Sequence, residues 1–166
     1  TGLFDIKTDV ALTVNREVDP EKMRGKFEKA DFLYIGGGDT VYMLEQWEQS
    51  GLLPLICEAF VGGKLIAGLS AGAICWFEEM YSDSVVEGEY HIFPGLGWIN
   101  GKISPHYDER MLDFDDIVLY NRWCAWGLEN NAALEMHNGE PVRSISAGGK
   151  IFRLDASSGE LKKTVI

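Results

Sequence analysis

Short apolar runs recur along the first half of the chain, each closed by glycines and followed by helical spacing. Asp31-Phe32-Leu33-Tyr34-Ile35 runs into Gly36-Gly37-Gly38, and Lys64-Leu65-Ile66-Ala67 runs into Gly68-Leu69-Ser70-Ala71-Gly72. Each reads as a β-strand, a tight turn and a helix start. Asp19-Pro20 predicts another helix start, with Asp as N-cap and Pro at the first helical position. Met23, Phe27 and Ala30 form its apolar stripe. Helices are expected from Asp39-Thr40 to about Gln49, with Met43, Leu44 and Trp47 inward, and from Leu52 to Val61. Val10-Ala11-Leu12-Thr13-Val14 reads as a further strand. Strands that alternate with helices in this way predict a parallel α/β sheet, and such sheets bind ligands at the carboxyl ends of their strands. Both glycine turns should then face one crevice.

Beyond Phe77 the pattern loosens. Glu78 to Gly97 is rich in Ser, Asp, Glu and Gly and reads as a long loop over that crevice. Ile99 to Ser104 is an expected strand, and Asp108 to about Trp123 an expected helix with its acids outward. Trp126-Gly127-Leu128 and Ala132-Ala133-Leu134 read as short strands flanking Glu129-Asn130-Asn131, with Asn138-Gly139 as a turn. Lys150 to Leu154 and Leu161 to Val165 predict a terminal hairpin joined by Asp155-Ala156-Ser157-Ser158-Gly159.

With 166 residues and 46% hydrophobic positions the chain can bury a core as one domain, residues 1–166. The net charge of −11 argues against nucleic acid or an anionic membrane surface as partner, since both call for a basic patch. Cys57, Cys75 and Cys124 lie far apart without metal-ligand spacing, which suits a reducing, cytoplasmic setting. No apolar run reaches membrane-spanning length.

Gly68-x-Ser70-x-Gly72 has the spacing of a nucleophile elbow, in which small neighbours let strand and helix nearly collide around a strained serine. The bland alternative is a tight βα turn with a buried serine. A serine hydroxyl needs a base. Of His91, His106 and His137, His106 is the best placed, because Pro105 pins it just after an expected strand. A base needs an acidic partner. Glu129, between two apolar strands, is the first choice and Asp83 the second; most other carboxylates read as solvated surface charge. Gly36-Gly37-Gly38 lacks the spacing of a phosphate loop but can lend backbone N–H groups to an oxyanion; a plain strand–helix turn is its other reading.

Four blocks in order carry a family resemblance: Ile35-Gly36-Gly37-Gly38-Asp39-Thr40, Gly68-Leu69-Ser70-Ala71-Gly72-Ala73, Pro105-His106-Tyr107 and Leu128-Glu129-Asn130-Asn131. Together they resemble peptidase family S51, the dipeptidase E and cyanophycinase-like group, from about Ala30 to the C-terminus. The resemblance implies a mostly parallel sheet sandwiched by helices, flavodoxin-like or class I glutamine-amidotransferase-like, and a family strand and helix missing before Thr1. It implies Ser70 as nucleophile, His106 as base, an oxyanion hole from N–H groups of Gly38 and Ala71, and Glu129 or Asp83 as third member. Gly37, Asp39 and Arg110 are the expected substrate-binding residues. Asp39 stands where the family usually has Asn, and Arg110 is the nearest cation for an aspartyl side chain, although pairing with the acidic helix is its plainer use. The expected substrate is a small peptide, with an N-terminal aspartyl dipeptide as one candidate, with no metal or organic cofactor, no nucleic-acid or membrane partner, and a homodimer as the candidate assembly.

Two other readings stay open. An α/β esterase shares the serine turn but places its histidine last, after the acid. A non-catalytic binding module would keep the scaffold without the chemistry.

Overall fold

The computed structural model describes residues 5–14 and 19–166. They form two compact units. The first holds the described residues up to Tyr34 and Tyr42–Ala67; the second holds Ile35–Val41 and Gly68–Ile166.

In the first unit, helix α1 (Pro20–Lys29) starts as expected. The Asp19 carboxylate accepts the N–H groups of Glu21 and Lys22 at 3.1 and 3.2 Å, and Met23 and Phe27 are buried. The last carbonyls of a helix have no partner within it. Here Lys64 supplies one, its Nζ donating to Phe27, Glu28 and Ala30 carbonyls at 2.7, 3.1 and 2.5 Å. Strands β1 (Phe32–Ile35) and β2 (Leu65–Gly68) pair with one another. Between them in sequence come α2 (Thr40–Gln49) and α3 (Leu52–Val61). Helix α3 buries Leu52, Leu55, Ile56 and Ala59, the i, i+3, i+4, i+7 stripe of a half-buried helix, and Arg24 of α1 pairs with its Glu58 at 2.8 Å.

The strand expected over Val10–Val14 does not form: residues 10–13 are irregular and Val14 lies in a turn. The Val10 N–H donates to Asp9 Oδ1 and the Val10 carbonyl accepts from Lys26 Nζ, so side chains take the groups a neighbouring strand would need.

The second unit is built on a six-stranded sheet in the order β10-β9-β6-β5-β3-β4. Its strands are β3 (Phe77–Ser82), β4 (His91–Pro94), β5 (Ile99–Ser104), β6 (Cys124–Leu128), β9 (Ile151–Asp155) and β10 (Lys162–Val165). The central pairs β3–β5 and β5–β6 are parallel, and the flanking pairs β3–β4, β6–β9 and β9–β10 are antiparallel. The last of these is the expected terminal hairpin. Helix α5 (Tyr107–Asn121) joins β5 to β6 as the crossover that parallel strands require. Its Tyr107, Phe114 and Val118 are fully buried with Tyr81, Ala125, Leu154 and Ala156. Phe114 stacks on Tyr81 at 5.2 Å, and Tyr107 meets Phe152 at 5.3 Å.

The long loop expected over Glu78–Gly97 is mostly the β3–β4 hairpin, with residues 83–90 and 95–97 outside the strands. Its polar composition misleads because one flank faces solvent. Glu78 and Glu79 pair with Lys102 at 3.5 and 3.2 Å, while Phe77, Met80 and Tyr81 are buried. A separate hairpin joins β7 (Ala132–His137) to β8 (Glu140–Ser146), a strand the sequence pattern does not reveal because every β8 residue is exposed. Its two-residue turn is the expected Asn138-Gly139, both at positive φ (53° and 81°).

Candidate active site

Four turns of the second unit supply the groups of interest: those after β1, β2, β5 and β6. After β2 the chain turns at Ser70, with φ 50° and ψ −112°, and enters the four-residue helix α4 (Ala71–Ile74). A non-glycine residue in such a region carries about 1–3 kcal/mol of strain. The flanking glycines are obligatory. A Cβ on Gly68 would lie 1.8 Å from the Gly72 carbonyl oxygen, and one on Gly72 would lie 2.4 Å from that of Ile35. The Leu69 N–H donates to the same Ile35 carbonyl at 3.0 Å, which ties the serine turn to the glycine turn after β1. Gly37 lies directly against the serine, since a Cβ there would be 3.4 Å from Ser70 Cβ. Gly38, at φ 134°, adopts a backbone open only to glycine.

After β5, buried Pro105 leads into His106 at φ 50° and ψ 40°, a left-handed residue that caps α5. Its ring meets the serine, with Nε2 2.9 Å from Ser70 Oγ. The other ring nitrogen, Nδ1, lies 2.6 Å from Asn130 Oδ1 in the turn after β6. Asn130 Nδ2 donates to Glu109 Oε1 at 2.6 Å and to Asp108 Oδ2 at 3.2 Å, while the Asn130 backbone N–H donates to Asp108 Oδ1 at 2.9 Å. Ionised carboxylates only accept, so the Asn130 amide must turn Nδ2 toward them and Oδ1 toward the ring. An amide oxygen at Nδ1 matches the ring form that carries its proton there and leaves Nε2 as acceptor for the Ser70 hydroxyl. Burial works against the Asp108 charge, but the Asn130 backbone N–H and further hydrogen bonds outweigh it and hold the carboxyl below its usual range.

The residue on Nδ1 is therefore neither of the two acids named from sequence. Glu129 precedes it in the turn, and its Oε2 accepts the Lys150 N–H at 2.8 Å. Asp83, in the loop after β3, accepts the Gly88 N–H at 3.2 Å. Sequence reasoning sought a carboxylate and passed over the neutral neighbour. The available signal was a pair of acids two and three residues after His106, which makes an amide the complementary partner. The β8–β9 connection closes on the same turn: Ala147 N–H donates to the Asn131 carbonyl at 2.8 Å, and a Cβ on Gly149 would fall 1.9 Å from the Asn130 carbonyl oxygen.

The remaining expected residues are placed as follows. The Ala71 N–H opens α4 and has no acceptor within that helix. Exposed Asp39 precedes buried Thr40, whose N–H donates to Ser84 Oγ at 3.0 Å. Arg110 lays its guanidinium over the Tyr90 ring at 4.3 Å and sends Nη1 to the Tyr81 carbonyl at 3.4 Å. His91 stands on β4 beside Phe93, and His137 ends β7 at the hairpin turn. Among the described residues no group of three or more His, Cys, Asp or Glu side chains is arranged to hold a metal ion, and no helix is long and apolar enough to cross a membrane.

This turn-borne Ser–His pair can be set beside known proteins. The sequence profile of peptidase family S51 matches residues 4–151. The chain belongs to peptidase family S51. It is 34% identical over 137 residues to an uncharacterized peptidase, YgaJ, of Bacillus subtilis (strain 168), a match covering 79% of this chain and 59% of that protein. It is 30% identical over 108 residues to a peptidase E of Shewanella oneidensis, covering 64% of this chain and 44% of that one. The S51 chain thus spans about half the length of these curated relatives. Its fold is also that of the crystal structure of a peptidase from an acI-B1 Actinobacterium, with TM-score 0.56 at 18% identity over 88% of this chain and 61% of that one. The α/β class expected from the strand–turn–helix pattern is the class found.

Proposed function

We propose that this S51 chain is a serine peptidase that hydrolyses small peptides through an acyl-enzyme on Ser70. The observation that carries the reading is the contact between Ser70 Oγ and Nε2 of His106 at 2.9 Å, on a serine strained into a turn that only glycines fit at positions 68 and 72. Such a serine matches a nucleophile elbow. Ser70 Oγ attacks the peptide carbonyl carbon as Nε2 takes its proton. The carbonyl oxygen, now an oxyanion, accepts from the N–H groups of Gly38 and Ala71. His106 returns the proton to the amine nitrogen as the C–N bond breaks. Water then attacks the ester, its proton again passing to Nε2, and Ser70 leaves with a proton restored to Oγ. Asn130 holds the ring in the tautomer this cycle needs, the role a carboxylate fills in other triads.

Gly37, beside the serine turn, Asp39, two residues further along the chain, and Arg110, one helical turn after His106, are the proposed substrate contacts. A preference for an N-terminal aspartyl residue rests on Arg110, whose guanidinium is held over Tyr90. Equal hydrolysis of Asp-Leu and Ala-Leu by the wild-type chain would remove that preference.

A fluorophosphonate probe on the intact chain tests the nucleophile. Stoichiometric labelling at Ser70, lost in Ser70→Ala and His106→Gln, is expected. No labelling of the wild type would favour a binding module on the same scaffold.

A further inference from the structure

The Asn130 amide is neutral and nearly symmetric in shape, so nothing in the residue itself decides which end meets the imidazole. The choice matters. With Oδ1 toward Nδ1, the ring carries its proton there and Nε2 is free to act as base. With Nδ2 toward Nδ1, the ring must carry its proton on Nε2, and Ser70 would face a donor in place of a lone pair. We infer that Asp108 and Glu109 are positioning residues that set the direction of the Asn130 amide, and through it the His106 tautomer and the charge that stabilises the protonated ring.

Three observations carry this. Both carboxylates bind the same Nδ2, at 3.2 and 2.6 Å, and Asp108 also takes the Asn130 backbone N–H at 2.9 Å. A reversed amide would point Oδ1 at two acceptors, leaving no hydrogen for either contact. Second, the two acids occupy the first turn of α5, where the helix end favours negative charge. Third, the left-handed backbone of His106 reverses the chain just ahead of them, so the ring and both carboxylates converge on one side chain. The other charged groups nearby do not compete. Glu129, from the β6–β7 turn, is engaged by the Lys150 N–H, and Arg110, next on α5, by Tyr90 and the Tyr81 carbonyl. Helix α4, on the serine side, contributes no titratable group within Ala71–Ile74. The inference rests on the peptidase reading for its catalytic meaning but not for its structural content.

Two measurements test it. The rate of fluorophosphonate labelling of Ser70 is followed against pH in the wild type, in Glu109→Gln, and in the double variant Asp108→Asn/Glu109→Gln, with thermal melts as a check on folding. Removing negative charge near the ring disfavours its protonated form, so the pH midpoint should move down. The plateau rate should fall by about tenfold or more, part of the 10²–10⁴ that a positioned base contributes. A folded double variant with the wild-type midpoint and rate overturns the inference. Independently, the imidazole ¹⁵N spectrum of the intact chain, assigned with His106→Gln, should show His106 as the Nδ1–H form. The Nε2–H form should grow in with the double variant, and in Glu109→Gln alone to a smaller extent. A wild-type ring protonated on Nε2, or a variant spectrum identical to wild type, also overturns it. Labelling that persists in Ser70→Ala overturns the nucleophile reading instead, and the ¹⁵N spectrum still decides the positioning role.

Discussion

Nδ1 of His106 lies 2.6 Å from Asn130 Oδ1, so an amide stands where a carboxylate was expected. The exchange makes the three candidates separable by mutation. Asn130→Ala should lower kcat/KM on a cleaved dipeptide on the order of 10²-fold, because the ring loses its orienting partner. Glu129→Ala and Asp83→Ala should stay close to wild type in kcat/KM. Loss of the Glu129 contact to Lys150 should instead appear as about 1 kcal/mol of stability in urea titration. Loss of activity in Glu129→Ala at unchanged stability would return the third role to the carboxylate.

Gly149 packs against the Asn130 turn rather than against Ser70 or His106. A Cβ there would sit 1.9 Å from the Asn130 carbonyl, so Gly149→Ala must push the Asn130 turn aside. Because a displaced orienting group costs catalysis more than binding, the variant should lose kcat with little change in KM. Steady-state kinetics over a dipeptide concentration series separates the two.

Gly72→Ala places a Cβ 2.4 Å from the Ile35 carbonyl, a backbone atom that cannot yield without moving β1. A destabilisation of about 3 kcal/mol is expected by chemical denaturation. Normal stability would mean that the serine turn is looser than its geometry indicates.

Phe114 is fully buried between Tyr81 and Tyr107. Phe114→Ala should remove about 3–5 kcal/mol, the usual loss for an aromatic deleted from a packed core, and lower the urea midpoint accordingly.

Acid should destabilise the chain through carboxylates that the fold keeps ionised. Hydrogen bonds donated by Lys22 hold the Asp19 carboxyl below the usual carboxylate range, and at Asp108 burial raises the carboxyl but the Asn130 N–H and further hydrogen bonds outweigh it. A depressed folded pKa stabilises the native state above the unfolded value and loses that contribution as pH falls through the folded one. Thermal midpoints should therefore hold steady above about pH 5 and drop progressively below 3.8. Asp19→Asn should flatten part of that drop.

What was legible in the sequence is what local chemistry dictates. Asp19-Pro20 capped α1, the i, i+3, i+4, i+7 spacing set α3, and glycines closed β1 and β2, since each of these follows from contacts within a few residues. Ser70 and His106 were readable because tight turns leave a signature of small residues and proline. The failures are all non-local. Val10–Val14 has strand residues but no strand partner, and Glu78–Ser82 has loop residues but pairs with both β4 and β5. Asn130 was missed because its importance lies in two acids 21 and 22 residues away in the chain.

Among the described residues most positive-φ positions are glycine, and the non-glycine exceptions include Ser70 and His106, the two ends of one hydrogen bond. At both positions the backbone conformation suits a glycine better than the residue present. His106→Gly should relax the turn, leave an imidazole-sized hole beside Ser70, and regain part of its activity when imidazole is added to the buffer. Endurance alone would favour glycine at both positions, so the two side chains mark where the fold carries backbone strain at the candidate site.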